Sequence, residues 1–211
     1  MKIALYGATG TIGRRIAQEA LSRGHQVTAI ARNAAGFDLK HANLKVVSGD
    51  ARDPASVAQV AGGHDAVVTA IGPRQGDVTE ALAATAQSLV TGVKRAGVGR
   101  LVVVGGAGGL EVAPGVRVVD TPSFPAAWKP IALAHIAAYD VYRQSDLDWT
   151  FFAPAALIQP GERTGKYRTG TDQLVTDAKG NSAISAEDYA VALIDELEKP
   201  KFVRRRFTAA Y

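Results

Sequence analysis

Three glycines spaced three residues apart follow an apolar run near the start of the chain, in the stretch YGATGTIGRR (6–15). Each glycine loses much conformational freedom on folding, so three in one turn indicate a tight bend or a close approach to the backbone. The run KIALY (2–6) predicts a strand, and the periodic apolar residues after Gly13 predict a helix. A glycine-rich turn between a strand and a helix is typical of dinucleotide-binding folds.

The glycines of this turn have separate predicted roles. Gly7 permits the tight turn, Gly10 lets a pyrophosphate approach the backbone, and Gly13 lets the helix pack close to the strand. The helix N-terminus offers free N–H groups to the phosphates, and the two threonines add hydroxyl donors. The predicted phosphate-binding residues are Gly7, Thr9, Gly10, Thr11, Ile12 and Gly13. The alternative is a strand–helix turn without a ligand.

Short, almost entirely apolar runs recur along the chain with helical patterns between them. Such runs fit strands that are buried on both faces, as in a parallel sheet. They cover 2–6, 26–31, 44–48, 65–71, 100–106 and 149–153, with a last strand at 205–211. Helices are predicted at 12–23, 53–60, 78–96, about 131–144 and 186–198. The alternation predicts an α/β fold with a doubly wound parallel sheet.

Two segments interrupt this alternation. Residues 105–130 are rich in glycine and proline, contain no clear helix, and lie where such sheets form their ligand crevice, so we expect this long loop to be functional. Residues 154–185 predict a small subdomain on the substrate side. We therefore expect a single dinucleotide-binding domain over 1–211, with 154–185 as its substrate-side insertion.

Composition excludes several other classes of protein. The chain has no cysteine, so it has no disulfide framework and no thiolate metal site, and we predict no metal. No run approaches the roughly 20 apolar residues that span a membrane, so we expect a soluble, cytoplasmic protein. The net charge is +4, but the basic residues are scattered and are not interleaved with aromatic residues. We therefore expect a small-molecule substrate, no nucleic acid, and a monomer or homodimer.

The residue after the second strand bears on which dinucleotide is bound. Sites for NAD usually carry Asp or Glu there, to bind the ribose 2′-hydroxyl. Here the strand is followed by Arg32, and no acidic residue occurs between Glu19 and Asp38. A guanidinium suits a 2′-phosphate, so NADP(H) is favoured over NAD(H). The alternative is an exposed arginine without a ligand.

Three more loops at predicted strand ends complete the expected cofactor site. The loop after the third strand would meet the adenine, the loop after the fourth the ribose and phosphates, and the loop after the fifth the nicotinamide. Their residues are Asp50 and Ala51, then Ala70, Ile71 and Gly72, and finally Gly105, Gly106 and Ala107. Asp50 also fits the simpler role of capping a turn.

Five stretches carry a resemblance to a known family: GATGTIGRRIAQEALSRGHQVTAIAR, VVVGGAG, RQSDLDWTFFAPA, PGERTGKYR and ISAEDYAVALIDELE. Together they resemble the atypical short-chain dehydrogenase/reductases, and in particular the small NmrA-like NAD(P)H–flavin reductases, which include the flavin-reductase type of biliverdin reductase. The resemblance covers nearly the whole chain. It implies an NAD(P)-binding Rossmann fold and hydride transfer from NADPH to a flavin or similar planar acceptor. It also places Pro154 in the loop beside the nicotinamide.

The chain departs from this family at its acid–base residues. Many members use a Tyr-x-x-x-Lys pair, often with a serine, and no Tyr-x-x-x-Lys occurs here. The lysine's position falls at about His135, the tyrosine's at about Ile131, and the serine's in the run 105–107. A dehydrogenase or sugar epimerase mechanism is therefore poorly supported. Flavin reduction tolerates the loss, because orientation and proximity supply much of its rate; a non-catalytic NADP(H) sensor tolerates it as well.

Candidate catalytic residues are His135 and Tyr139, one turn apart on a helix expected to face the crevice. Each fits a structural role equally well. Candidate substrate-contacting residues are Trp128, Arg163, Tyr167 and Arg168. The tryptophan fits the role of a lid or of a hydrophobic plug. The other three fit the recognition of an anionic or planar substrate, and they fit an exposed turn equally well.

Overall fold

The predicted alternation of strands and helices is observed. The structure, a computed structural model, describes residues 1–34, 37–73 and 79–211, without the side chain of Thr79. The strands are β1 (Lys2–Tyr6), β2 (Gln26–Ala31), β3 (Leu44–Ser48), β4 (Ala66–Thr69), β5 (Arg100–Val104), β6 (Glu111–Ala113), β7 (Val116–Arg117), β8 (Asp148–Ala153), β9 (Leu157–Gln159), β10 (Arg168–Gly170), β11 (Ala183–Ser185) and β12 (Arg205–Ala210). The α-helices are α1 (Thr11–Ser22), α2 (Pro54–Ala61), α3 (Thr79–Arg95), α4 (Lys129–Arg143) and α5 (Ala186–Glu198).

Eight strands form the main sheet, in the order β10-β12-β8-β5-β4-β1-β2-β3. Neighbouring strands are parallel except β10 and β12, which are antiparallel at one edge. The strand order reverses between β1 and β4, and a doubly wound sheet opens its ligand crevice at the carboxyl ends beside such a reversal. The predicted α/β fold with a doubly wound parallel sheet is confirmed.

Helices cover both faces of the sheet, because its central strands are apolar on both sides. On one face α1 packs against α5, and Phe152 stacks on Tyr189 and Phe207 with ring centroids 3.9 and 4.0 Å apart. On the other face α3 packs against α2 and α4. The core of this second face includes Tyr6, the last residue of β1, and Leu82 of α3, so it extends to the carboxyl edge of the sheet.

Two central strands end before their predicted limits. β4 ends at Thr69 rather than at residue 71, and β5 ends at Val104 rather than at residue 106. In both cases the apolar run continues past the last paired residue, so the pattern alone overestimates the strand. The residues beyond each end turn out of the sheet and border the crevice.

Several helices also differ slightly from their predicted bounds, and α1 and α2 are each shifted by one residue. α3 covers Thr79–Arg95 of the described residues and ends one residue before the predicted limit of 96, and the predicted first residue, Val78, lies outside the described residues. α4 begins at Lys129, earlier than the predicted residue 131. Pro130 lies in its first turn, where the missing N–H would have no helical partner in any case.

Residues 105–130 contain more structure than the predicted loop. They include short 3₁₀ helices at Ala107–Gly109, Val118–Asp120 and Ala126–Trp128. The hairpin of β6 and β7 lies between the first two. The absence of an α-helix was predicted correctly, but the segment is ordered by short-range turns that periodicity does not reveal.

Residues 154–185 cross from the carboxyl edge of the sheet to the layer of α1 and α5. β9 pairs with β11, and β10 extends the main sheet beside β12. Between them, Gly161 donates its N–H to Glu187 at 2.7 Å, and Thr164 donates its N–H to Asp188 at 2.8 Å. Both acceptors lie on α5, so the middle of this segment packs on the helical layer.

Candidate functional site

Two glycines of the turn after β1 are required by the fold itself. Gly7 has φ +80°, and a Cβ there would lie 2.7 Å from the carbonyl carbon and oxygen of Ala70. A Cβ on Gly13 would overlap the carbonyl oxygen of Gly7. The turn therefore folds against the end of β4 on one side and against the first turn of α1 on the other.

Gly10 is not required in this way. Its φ is −80°, and a Cβ there would meet only the Gly7 carbonyl oxygen, at an ordinary 3.5 Å. It is exposed and caps α1 without a side-chain hydrogen bond. No contact within the fold therefore requires a glycine here, and the predicted close approach of a ligand to this backbone stays a prediction.

The first turn of α1 presents backbone donors to the same space. The first helical hydrogen bond runs from the Arg14 N–H to the Gly10 carbonyl at 2.9 Å, so the N–H groups of Thr11, Ile12 and Gly13 precede the helical ladder. No acidic residue occupies this turn. Free N–H groups and the positive end of the helix dipole together favour an anion such as a pyrophosphate.

A pocket, called here the nucleotide pocket, extends from this turn between the loops after β2 and β3 and the start of α3. It is lined by Tyr6, Gly7, Thr9, Ile30, Ala31, Arg32, Gly49, Asp50, Ala51, Arg52, Ile71, Gly72, Pro73, Ala81, Leu82 and Thr85. The structure thus brings together predicted cofactor residues from the loops after the first four strands, namely Gly7, Thr9, Arg32, Asp50, Ala51, Ile71 and Gly72. The predicted nicotinamide-loop residues Gly105, Gly106 and Ala107 are not among those that line this pocket. Ala70 lies just beneath, where its N–H donates to the Tyr6 carbonyl at 2.9 Å.

Two arginines line the pocket beyond the second and third strands. Arg32 was predicted, whereas Arg52 was missed, although its place in the loop after β3 was a usable signal. Both side chains are exposed, and neither guanidinium is ion-paired with another residue in the described ranges. The Asp50 carboxylate accepts the Arg52 N–H at 2.9 Å, so Asp50 does cap a turn at the pocket wall.

His135 lies at the carboxyl ends of β4 and β5. A Cβ on Gly106 would lie 2.9 Å from its imidazole Cγ and Cδ2, and one on Gly72 would lie 4.0 Å from its Nε2. A Cβ on Gly105 would overlap the Phe151 ring, so both glycines after β5 are needed for packing. Burial lowers the pKa of His135 to about 4, which keeps the ring uncharged at neutral pH. Its nitrogens have no hydrogen-bond partner among the described residues.

A sequence model described as NAD(P)H-binding matches residues 7–200. The chain belongs to this NAD(P)H-binding family. The matched span begins at the glycine turn and ends just after α5, so it includes every residue that lines the nucleotide pocket except Tyr6.

Solved structures give the same result for the fold. A provisionally named exported protein from Burkholderia pseudomallei is 55% identical with a TM-score of 0.91, and each chain is covered completely. A provisionally named epimerase from Bacteroides thetaiotaomicron is 42% identical over 100% of this chain and 96% of its own, with a TM-score of 0.92. A provisionally named NADH-flavin reductase from Streptococcus pneumoniae is 34% identical over 100% and 99%, with a TM-score of 0.88. The resemblance to atypical, NmrA-like short-chain dehydrogenase/reductases is confirmed.

Tyr139 of this NAD(P)H-binding protein belongs to an aromatic cluster in the core. Its ring lies 4.9 Å from the Phe151 ring and 5.9 Å, edge-on, from the Trp149 ring. The Arg206 guanidinium lies over its face at 5.0 Å. Burial raises the pKa of its phenol. These contacts hold the ring against β8, and the predicted catalytic role of Tyr139 stays a prediction.

Trp128 remains a candidate for contact with an acceptor, and Ile131 is a second exposed apolar residue at the start of α4. Trp128 is 64% exposed just before α4, and Ile131 is 38% exposed in its first turn. Helical spacing places both on the side of α4 that carries His135. Pro154 is buried directly after β8, at the same edge of the sheet, and its predicted place beside the nicotinamide stays a prediction.

The predicted substrate roles of three residues in the 154–185 segment are corrected. Arg163 pairs with Glu19 of α1 at 2.7 Å, and Tyr167 donates its hydroxyl to Asp195 of α5. Both lie on the face of the sheet opposite α3 and α4. Arg168 donates to the carbonyl oxygens of Thr176 and Tyr211 at the far edge of the sheet. Partners far away in sequence hold all three, so none borders the nucleotide pocket.

In the described ranges, 1–34, 37–73 and 79–211, no helix is long and apolar enough to cross a bilayer. No group of three or more His, Asp or Glu side chains there is placed to hold a metal ion.

Proposed function

We propose that this protein is an NADPH-dependent reductase that passes a hydride to a flavin or a similar planar acceptor. The observation that carries the proposal is the acceptor end of the crevice. Gly106 packs there against the uncharged imidazole of His135, and a Cβ on Gly72 would lie 4.0 Å from its Nε2. Ile131 stands at the position of the family's tyrosine acid. Such a site orients flat rings but provides no acid–base pair for an alcohol or a sugar.

The preference for NADPH is supported by the arginines of the nucleotide pocket. Arg32 and Arg52 give this end two positive charges that no described residue neutralises by an ion pair. Asp50, the acidic side chain among the residues that line the pocket, already accepts a backbone N–H of its own turn. A guanidinium binds a 2′-phosphate well, whereas a ribose diol is bound best by a carboxylate.

The residues act mainly by binding and orientation. Bound NADPH supplies a hydride, which a flavin takes up together with one proton from solvent, giving NADP⁺ and dihydroflavin. The N–H groups of the first α1 turn hold the pyrophosphate, and the two arginines hold the 2′-phosphate. Trp128 and Ile131 offer apolar surface to the acceptor ring. His135 offers one donor and one acceptor without a charge, and proximity supplies most of the rate.

A similar solved chain supports the acceptor, and another supports a second candidate. The pneumococcal protein, 34% identical, bears the provisional name NADH-flavin reductase. The Bacteroides protein, 42% identical, bears the provisional name epimerase. Because this chain has no Tyr-x-x-x-Lys pair, we favour the reductase over the epimerase. A non-catalytic NADP(H) sensor remains compatible with the same missing pair.

Oxidation of NADPH and NADH, followed at 340 nm with FMN as acceptor, tests the proposal. We expect turnover that prefers NADPH and a shift towards NADH in Arg32→Asp. The matched control is Arg205→Asp, an exposed arginine at the amino end of β12, which should keep the wild-type preference. Tight NADPH binding without turnover would overturn the reductase and favour the sensor. An unchanged preference in Arg32→Asp would refute the phosphate-binding role.

A further inference from the structure

Tyr6 carries a polar group that the protein leaves unsatisfied. It is the last residue of β1, its side chain is 1% exposed, and it lines the nucleotide pocket. Its hydroxyl has no hydrogen-bond partner in the part of the chain that the structure describes. Buried hydroxyls are usually satisfied, and an unmade bond destabilises the fold, so this one needs an explanation.

The buried hydroxyls of Ser145 and Thr208 also lack a partner among the described residues, but neither residue lines the nucleotide pocket. Two other buried hydroxyls are satisfied within the protein. Tyr189 is fully buried on the opposite face of the sheet and donates its hydroxyl to the Phe152 carbonyl at 2.6 Å. Within the pocket, the Thr85 hydroxyl donates to the Ala81 carbonyl at 2.9 Å. Burial raises the pKa of Tyr6 to about 12, so its phenol stays protonated and is a donor at neutral pH. A ligand atom that accepts one hydrogen bond would complete the site.

The position of Tyr6 selects which part of a dinucleotide it can meet. The glycine turn binds the pyrophosphate, and the exposed arginines lie at the 2′-phosphate end. Between them the wall is apolar, with Ile30, Ala51 and Leu82 beside the phenol. Apolar walls around a single buried donor suit a flat heterocycle with acceptor nitrogens at its edge.

We infer that the Tyr6 hydroxyl donates a hydrogen bond to a ring nitrogen of the adenine of bound NADPH, and that it is a positioning residue for the cofactor. This inference rests on the proposed function. It assigns Tyr6 a contact with the adenosine half and none with the nicotinamide half or the acceptor. Ligand-free protein should consequently gain nothing from the hydroxyl.

The test compares Tyr6→Phe with Tyr142→Phe, in which a buried tyrosine of α4 in the same core layer loses its hydroxyl. Affinity is measured for NADPH, by its fluorescence, and for adenosine 2′,5′-bisphosphate, by calorimetry. We expect Tyr6→Phe to bind both ligands about 3–10-fold more weakly, the effect of one neutral hydrogen bond. Tyr142→Phe should bind both as the wild type does. The melting temperature of ligand-free Tyr6→Phe should equal or exceed that of the wild type.

The outcomes separate this inference from the proposed function. Unchanged affinity of Tyr6→Phe for the bisphosphate would overturn the inference alone. So would a lower melting temperature of the ligand-free variant, since it would show that the hydroxyl has a partner without ligand. If the wild type binds neither ligand, the proposed cofactor and the inference both fail. Binding without FMN turnover would overturn only the reductase, and the expected affinity loss would still support the adenine contact.

Discussion

The substitution Gly10→Asp would place a carboxylate at the N-cap of α1, where the glycine leaves the first-turn N–H groups without a side-chain partner. The backbone there is extended, with φ −80° and ψ 168°, a conformation that aspartate adopts freely. The nearest described atom to a Cβ is 3.5 Å away, so the side chain fits. Its carboxylate would accept the N–H groups that we assign to the pyrophosphate and would repel the phosphates.

The two consequences have opposite signs. Aspartate in place of glycine at an N-cap gains a few tenths of a kcal/mol, and the helix dipole adds about 0.3–1 kcal/mol. The ligand-free protein should therefore be stabilised by about 0.5–1 kcal/mol, which raises the melting temperature by about 1–4 °C. Two lost hydrogen bonds to a charged ligand, at about 1.5–3 kcal/mol each, weaken NADPH binding at least about 100-fold.

Thermal unfolding without cofactor and fluorescence titration with NADPH measure the two effects. Gly10→Asn is the matched control, because asparagine caps a helix equally well without a charge. It should bind NADPH at least about tenfold more tightly than Gly10→Asp does. A lower melting temperature of ligand-free Gly10→Asp would refute the N-cap argument. Wild-type NADPH affinity in that variant would refute the phosphate site.

Three further substitutions test the packing around the site and the core. Gly13→Ala places a methyl group against the Gly7 carbonyl oxygen and should lower the free energy of unfolding by about 2–3 kcal/mol or more. A melting temperature within about 2 °C of the wild type would contradict this expectation. Glu196→Gln removes the counter-charge 2.9 Å from the Arg100 guanidinium and should lower the free energy of urea unfolding by about 3 kcal/mol. A loss under about 1 kcal/mol would contradict a stabilising role for this ion pair. His135 has a pKa of about 4 in the folded protein and about 6.5 in the unfolded chain, so the wild type should lose up to about 2 kcal/mol of stability between pH 7 and pH 5. His135→Gln should lose less stability over this range by the same amount. Equal losses in the two proteins would refute the burial of His135 as a neutral ring.

The strands were predictable because each central strand is buried on both faces and is therefore an apolar run in the sequence. The runs at 2–6, 26–31 and 44–48 match β1, β2 and β3 residue for residue. The pocket was predictable for a related reason. Residues such as Arg32, Asp50 and Gly72 directly follow strands, and the carboxyl ends of parallel strands meet at one edge of the sheet.

Other parts of the site depend on contacts between distant residues. Arg163 was predicted to meet a substrate because its local sequence is exposed and basic, but its partner is Glu19, 144 residues earlier. Tyr139 was predicted as a catalytic candidate from its spacing to His135, and the contacts of its ring with Trp149 and Phe151 could not be read from that spacing. Tyr6 was interpreted only as a strand residue, because a local pattern cannot show that a strand's last hydroxyl faces a pocket.

The different constraints on the three glycines of the first turn bear on how related sequences diverge. Positions 7 and 13 are held by contacts within the folded backbone, so any descendant that keeps this turn must keep them small. Position 10 is held only by what binds there. A lineage that stopped using the cofactor would be free to change residue 10 while conserving 7 and 13. A relative with that pattern would be recognisable, from its sequence alone, as a member that retains the fold and has lost the ligand.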